Sequence, residues 1–400
     1  MLNHTLHSPA AQPALSRKLV ILMAVASGVS VANIYYNQPI LKAIAGSFGA
    51  AESQAGAVSM LTQIGYGLGL FFLVPLGDKV SRKKLVLTLL SLLAVALIGM
   101  TQAASLAQVY VLSVAIGVLS ISAQVILPMA ASLDRTSTGK TVGIIFSGLL
   151  VGILGARIFA GLISAWFSWR FVYGFSSVFV LVILLLLNRF LPHVENQFKG
   201  HYLQLLRSTL IQVTRFALLR EAALSGAFIF GVFCSFWTTF TFHLSGPPFR
   251  YASDVIGLFG FLAIAGAMGA PLFGKLADKG NSRRSLVYAV LVIVSGILIT
   301  KFFPDSVPAT IACVLLLDIG VQAAQVTNVS RIYTLDRDSH SRINTVFMTT
   351  YFIGGALGTF AGLQAWKWGG WSLVTTQMLL WAAVALVVLL AGGLKRASKK

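Results

Sequence analysis

Two ionisable side chains stand inside long apolar runs. Asp318 lies in ACVLLLDIGVQAAQ (312–325) and Arg157 in GILGARIFAG (152–161). A charge at membrane depth is costly, so residues of this kind are kept where they pair, relay protons or hold a solute. A carboxylate that takes up and releases a proton beside a fixed cation is the chemistry of ion coupling. For each residue the alternative is a structural brace between neighbouring helices.

Further polar groups stand near apolar stretches. Asn33, Tyr35, Tyr36, Asn37 and Gln38 close the first apolar run. Aromatic and amide groups gathered there suit a solute cavity, while tyrosines at that height also serve as interfacial anchors. Gln322, Gln325 and Asn328 are spaced three apart and so fall near one face of a helix. Gln124 and Trp237 complete the candidate cavity set.

A second set sits between runs, Asp78, Lys79, Arg82 and Lys83 in VPLGDKVSRKK (74–84), and Gly274, Asp278, Arg283 and Arg284 in GKLADKGNSRR (274–284). A carboxylate in such a place can accept from exposed amides at a helix N-terminus and pair with Arg or Lys, which would make it a gate. The alternative is that these residues only shape a short turn and favour insertion. The sequence contains no Walker phosphate loop, no dinucleotide glycine pattern and no His/Cys metal spacing. Neither a cofactor, a metal nor an enzyme activity is therefore expected.

The elements that must position these groups follow from the hydropathy. Apolar runs cover 19–41, 55–77, 85–103, 107–131, 141–165, 171–191, 221–244, 255–277, 285–303, 309–333, 344–366 and 372–393. Each approaches the ~20 residues a span needs, which predicts twelve transmembrane helices. Lipid leaves no partner for an exposed backbone amide, so spans of this length are helices. Composition agrees, with 57% hydrophobic and only 10% charged residues, against roughly 25% charged in soluble domains. The net charge of +19 would suggest a nucleic-acid partner in a soluble chain. Here the basic residues cluster between apolar runs, so a lipid bilayer is the expected partner and nucleic acid is not. Cys234 and Cys313 both lie in apolar runs and suggest no disulfide framework.

Five basic residues, Lys42, Arg170, Arg250, Lys301 and Lys367, fall between runs or at the end of one, on one side of the twelve-helix plan. The others, Arg157 apart, fall on the opposite side. The positive-inside rule then puts both termini in the cytoplasm. The plan divides into a tail (1–18), a six-helix half (19–191), a linker (192–220), a second six-helix half (221–393) and a tail (394–400). Within the linker, Gln204, Arg207, Ser208, Gln212 and Arg215 recur at helical spacing with Leu203, Leu206, Leu210 and Val213 between them. That pattern predicts an amphipathic helix on the cytoplasmic face, with a solvated linker between the two halves as the alternative.

The halves repeat. VPLGDKVSRKK (74–84) matches GKLADKGNSRR (274–284), with Asp78 against Asp278, and Leu133-Asp134-Arg135 matches Leu335-Asp336-Arg337. Duplicated bundles of this kind are the plan of transporters whose halves rock about a central site. Small residues at Gly148, Gly152 and Gly155, and at Gly354, Gly355 and Gly358, offer faces for close helix approach.

These residues resemble the major facilitator superfamily, whose signature between helices 2 and 3 is Gly-x-Leu-Ala-Asp followed by basic residues. Gly274, Leu276, Ala277, Asp278, Arg283 and Arg284 keep it; in the first copy Val74 and Ser81 stand where Gly is usual. ANIYYNQP (32–39), SGLLVGILGARIFAG (147–161) and SRINTVFMTTYFIGGALG (341–358) are similar to the bacterial twelve-helix drug/proton antiporter group. Two departures from that group stand out, Gly155-Ala156 in place of Gly-Pro and the absence of an Arg around Gly117. The resemblance implies an all-α fold of two pseudo-symmetric six-helix halves in a bacterial inner membrane. It implies a monomeric secondary transporter that exports a small amphipathic solute in exchange for protons by alternating access. A proton-coupled importer or sugar-type facilitator of the same fold is the alternative. A non-transporting sensor or enzyme is disfavoured, because no acid/base or nucleophile cluster occurs at one depth.

Overall fold

The computed structural model describes residues 15–134, 137–193, 200–268, 282–336 and 339–397. In chain order the helices are α1 (Arg17–Ala32), α2 (Leu41–Phe48), α3 (Glu52–Phe72), α4 (Arg82–Thr101), α5 (Leu106–Leu119), α6 (Ser122–Leu133) and α7 (Thr138–Trp166). They continue as α8 (Trp169–Phe190), α9 (Tyr202–Arg215), α10 (Ala217–Ser245), α11 (Ser253–Met268), α12 (Ser282–Phe302), α13 (Val307–Ile332) and α14 (His340–Ala397). No strand occurs among the described residues.

Among the described residues nine helical stretches are long and apolar enough to cross a membrane. Large apolar side chains lie exposed along them, among them Val95, Val111, Val151, Leu185 and Val387. A surface of this kind belongs against hydrocarbon, since soluble monomers avoid extended apolar patches.

Three boundaries differ from the hydropathy reading. The first run stops being α-helical at Ala32. The Asn33 amide bonds back to the carbonyls of Val29 and Ser30, and Pro39 opens a short 3-10 helix, Gln38–Ile40, that leads into α2. The fourth run is two helices, α5 and α6. At the break the Ser30 hydroxyl donates to the Ser120 carbonyl at 2.9 Å, and Ser122 donates to Ser30 at 2.6 Å. Insertion of a side chain into the helical ladder is a common cause of such breaks. The last two runs form α14, interrupted only at Gly369 and Gly370, the latter in the left-handed region at φ 57.

Helix pairing repeats along the chain. α1 packs on α7 as α10 packs on α14, α3 on α5 as α11 on α13, and α4 on α8 as α12 on α14. The two bundles meet through α7 on α11 and α3 on α14. Close approach rests on glycine. A Cβ at Gly148 or Gly152 would meet α1 backbone at Ala24 or Gly28, and one at Gly354 or Gly358 would meet α10 backbone at Ala227 or Gly231. Gly155, expected on the same packed face as Gly148 and Gly152, has open space around it instead.

Candidate functional site

Arg157 projects from the middle of α7 and is 1% exposed. Its Nε donates to Gln38 Oε1 at 2.8 Å. Gln38 is placed by the 3-10 helix, and its carbonyl accepts from Thr241 of α10 at 2.7 Å. The guanidinium carbon lies 4.0 Å from the centre of the Trp237 ring, 5.3 Å from that of Tyr35 and 5.5 Å from that of Phe233. Phe233 and Trp237 are four apart on α10 and so share a face. Neither Nη1 nor Nη2 of Arg157 has a hydrogen-bond partner.

Asp318 stands on α13, fully buried, and neither of its carboxylate oxygens has a hydrogen-bond partner. No ion pair joins it to Arg157, yet each feels the other's charge. The two groups singled out in the sequence are thus electrostatic neighbours across the meeting of the two bundles, with one guanidinium face against rings of the opposite bundle.

Other candidates divide between this site and local structure. Tyr35, Gln38 and Trp237 belong to the Arg157 surroundings. Asn33 does not: beyond its backbone bonds, its Oδ1 accepts from Ser176 at 2.7 Å. Asn37 bonds to the Ile34 carbonyl and accepts from Ser59, and Tyr36 packs on Phe159. These three brace the first bundle. Gln124 reaches the Tyr66 hydroxyl at 3.4 Å. Asn328 is fully buried with both side-chain polar atoms unpartnered, whereas Gln322 and Gln325 are half-buried.

Sequence reasoning missed an aromatic layer. Phe230 stacks on Tyr351 at 4.0 Å, and Tyr66 meets Phe352 at 4.4 Å. Phe230 stacks in turn on Phe233 at 5.7 Å, which ties this layer to Arg157. Tyr351 and Phe352 lie within the antiporter-like stretch 341–358, but only the fold brings them to α3 and α10.

At the end of the molecule that carries Lys42, polar bonds join the bundles. Lys42 Nζ donates to the Ser245 carbonyl at 2.6 Å and Trp366 Nε1 to Glu52 at 2.8 Å; deeper, Thr359 donates to Gln63 at 2.9 Å. At the opposite end Asp78 pairs with Arg82 at 3.0 Å. Arg82 also reaches the Gly77 carbonyl and Ser132, and Lys83 donates to the Asn188 carbonyl. The contacts seen for Asp78, Arg82 and Lys83 therefore stay within the first bundle, while the Lys79 amide closes the short turn onto Leu76. Arg283 donates to the Leu390 carbonyl at 3.4 Å, and Arg284 is exposed. Gly274 and Asp278 lie outside the described residues.

A separate concavity of ≈ 570 Å³ runs between α3 and α14, lined by Met60, Leu68, Phe71 and Ile353 and bordered by Leu210 and Val213 of α9. It is apolar and includes neither Arg157 nor Asp318. Among the described residues no group of three or more His, Cys, Asp or Glu could hold a metal.

Known proteins share this plan. The chain is 40% identical over 377 residues to the uncharacterized transporter YgaY of Escherichia coli O157:H7, covering 94% of this chain and 95% of that one. It is 22% identical over 363 residues to the inner membrane transport protein YnfM of Escherichia coli (strain K12), covering 89% and 85%. Among solved structures it is similar in fold to a bacterial homolog of the human lysosomal transporter Spinster in an inward-facing, occupied conformation, with TM-score 0.72 at 13% identity over 94% of this chain and 96% of that one. The nucleoside transporter NupG gives TM-score 0.70 at 14% identity over 94% and 98%. The family model of the Major Facilitator Superfamily matches residues 23–359, and with the duplicated all-helical bundle this makes the chain a member of that superfamily of membrane transporters.

Proposed function

We propose that this transporter is proton-coupled and carries a small amphipathic solute through a bacterial inner membrane by alternating access. It works as a monomer of twelve spans with both termini in the cytoplasm. Asp318 is the proton site and Arg157 its counter-charge. The observation that carries this reading is a buried, unbonded carboxylate within electrostatic reach of a buried guanidinium where the bundles meet. Ionised, the two attract strongly in a medium of low dielectric. Protonation of Asp318 removes that attraction and frees the bundles to adopt another arrangement, so proton binding and conformational state are linked.

The resemblance makes export by exchange for protons the first reading. A second, proton-assisted import, is favoured by the two unpartnered nitrogens of Arg157. The test begins with a thermal-shift screen for a solute, followed by proteoliposomes loaded with it. The native chain should concentrate the solute when a pH gradient is imposed. Asp318→Asn should lose that accumulation and keep solute-for-solute exchange. If Asp318→Asn still concentrates solute, Asp318 is not the coupling site.

A further inference from the structure

Resting on the proton-coupled reading in its second form, in which solute and proton move together, we propose that the solute is an organic anion with an apolar, ring-bearing body. Its carboxylate, or a group of like charge and shape, is held by both terminal nitrogens of Arg157, and it crosses together with the proton on Asp318.

The geometry of Arg157 is that of a fork fixed at its base. Gln38 holds Nε at 2.8 Å, which leaves Nη1 and Nη2 as parallel donors without partners in a side chain 1% exposed. Guanidinium matches a carboxylate or phosphate through two such bonds at once. The indole N–H of Trp237, whose ring lies against the guanidinium, is also buried without a partner. The donors in this neighbourhood therefore outnumber the acceptors bonded to them, and a ligand rich in acceptors satisfies them. Trp237, Tyr35 and Phe233 supply ring faces for the rest of the solute.

The charge of the solute follows from the same neighbours. Beside Arg157 stand Asp318, Tyr35 and Cys234, none of which carries a positive charge. Arg157 is the one cation among them. A cationic solute would set a second positive charge beside a buried guanidinium, at a cost that low dielectric magnifies. An anionic solute neutralises the guanidinium. With Asp318 ionised, the guanidinium, the carboxylate and the solute sum to one negative charge. With Asp318 protonated they sum to zero. Solute and proton thus favour each other's binding, and linked ligands of this sign travel in the same direction. A cationic solute would compete with the proton for Asp318 and travel the opposite way.

The experiment uses the full chain in nanodiscs. The probes are three forms of one ring body, 1-naphthoate, 1-naphthamide and 1-naphthylmethylammonium, with indole-3-acetate, indole-3-acetamide and tryptamine as a second set. Calorimetric binding should favour the anion of each set by at least tenfold, the scale of a charge-assisted bond. Arg157→Gln should erase that preference. Asp318→Asn, which tests the same idea without touching the fork, should tighten the anion about tenfold at pH 8 and flatten its pH dependence. Preferred binding of a cation, absence of anion binding, or anion binding unchanged in Arg157→Gln or Asp318→Asn would overturn the proposal. These failures differ from failure of proton coupling, which appears as Asp318→Asn vesicles that still concentrate a solute.

Discussion

Among the described residues two arginine–carboxylate neighbourhoods are buried, and they are built differently. Between α10 and α13, Arg331 Nη2 meets Glu221 Oε1 at 2.7 Å, with side chains 8% and 7% exposed. Between α7 and α13, Arg157 and Asp318 are buried more deeply, feel each other's charge and are not bonded. The first arrangement resembles a rivet, because each charge is met directly by the other, although Arg331 Nη1 is left without a hydrogen-bond partner. In the second, both terminal nitrogens of Arg157 and both carboxylate oxygens of Asp318 are left over, and under the proposed function a proton or a solute would be the partner that completes them. Pairing marks a place that stays, and its absence marks a place that responds.

That contrast breaks most sharply on Glu221. Glu221→Gln should strand Arg331 and cost about 3–5 kcal/mol, the usual penalty for removing one partner of a buried pair. A lowered melting temperature in detergent would show it, and Glu221→Met with Arg331→Met together should recover most of the loss. A melting curve like that of the native chain would remove the distinction between the two neighbourhoods.

Close backbone contact is a second way of locking helices. Gly152→Ala pushes a methyl group into Gly28 of α1 and should destabilise by roughly 1–3 kcal/mol, as overpacking does. Gly155→Ala, one turn along and facing open space, should be neutral or slightly stabilising. Equal melting shifts for the two would contradict the asymmetry of that helix face.

Arg157→Gln should shift stability by no more than about 1 kcal/mol, since the lost ring contacts are offset by relief of an under-bonded buried charge. A loss as large as that of Glu221→Gln would make Arg157 a rivet too. A small stability effect is expected at Asp78 as well. Its pair with Arg82 is part-exposed, and surface pairs contribute about 0–1 kcal/mol. Asp78→Asn should nonetheless slow transport and leave solute binding intact, with greater labelling of a cysteine placed at that mouth. Unchanged labelling would reduce Asp78 to a turn residue.

Much of the fold was legible because lipid makes hydropathy decisive and duplication lets one half check the other. Arg157 and Asp318 stood out because a charge inside an apolar run has few explanations. What escaped depended on distance along the chain. The α5–α6 break comes from Ser30, ninety residues away, and the Tyr66–Phe352 layer from helices of different bundles. Asn33 and Asn37, expected among the cavity candidates, make local bonds instead. A short amide side chain competes for nearby backbone carbonyls, and here that competition prevails. Glu221 drew no notice because an acidic residue at the edge of a run is ordinary until its partner is known.

The helix α9 is tied at both of its ends. The Tyr202 hydroxyl donates to the Phe72 carbonyl at the end of α3, and Arg215 pairs with Asp336 beyond α13 at 2.9 Å. A slack connector between two rocking bodies behaves as a weak entropic spring, yielding smoothly to any displacement. A connector pinned at two points behaves as a detent, holding until one bond gives and then releasing a fixed amount of travel. Under the proposed alternating access, motion at this end of the molecule would then divide into discrete dwells, with their length set by these two bonds of α9.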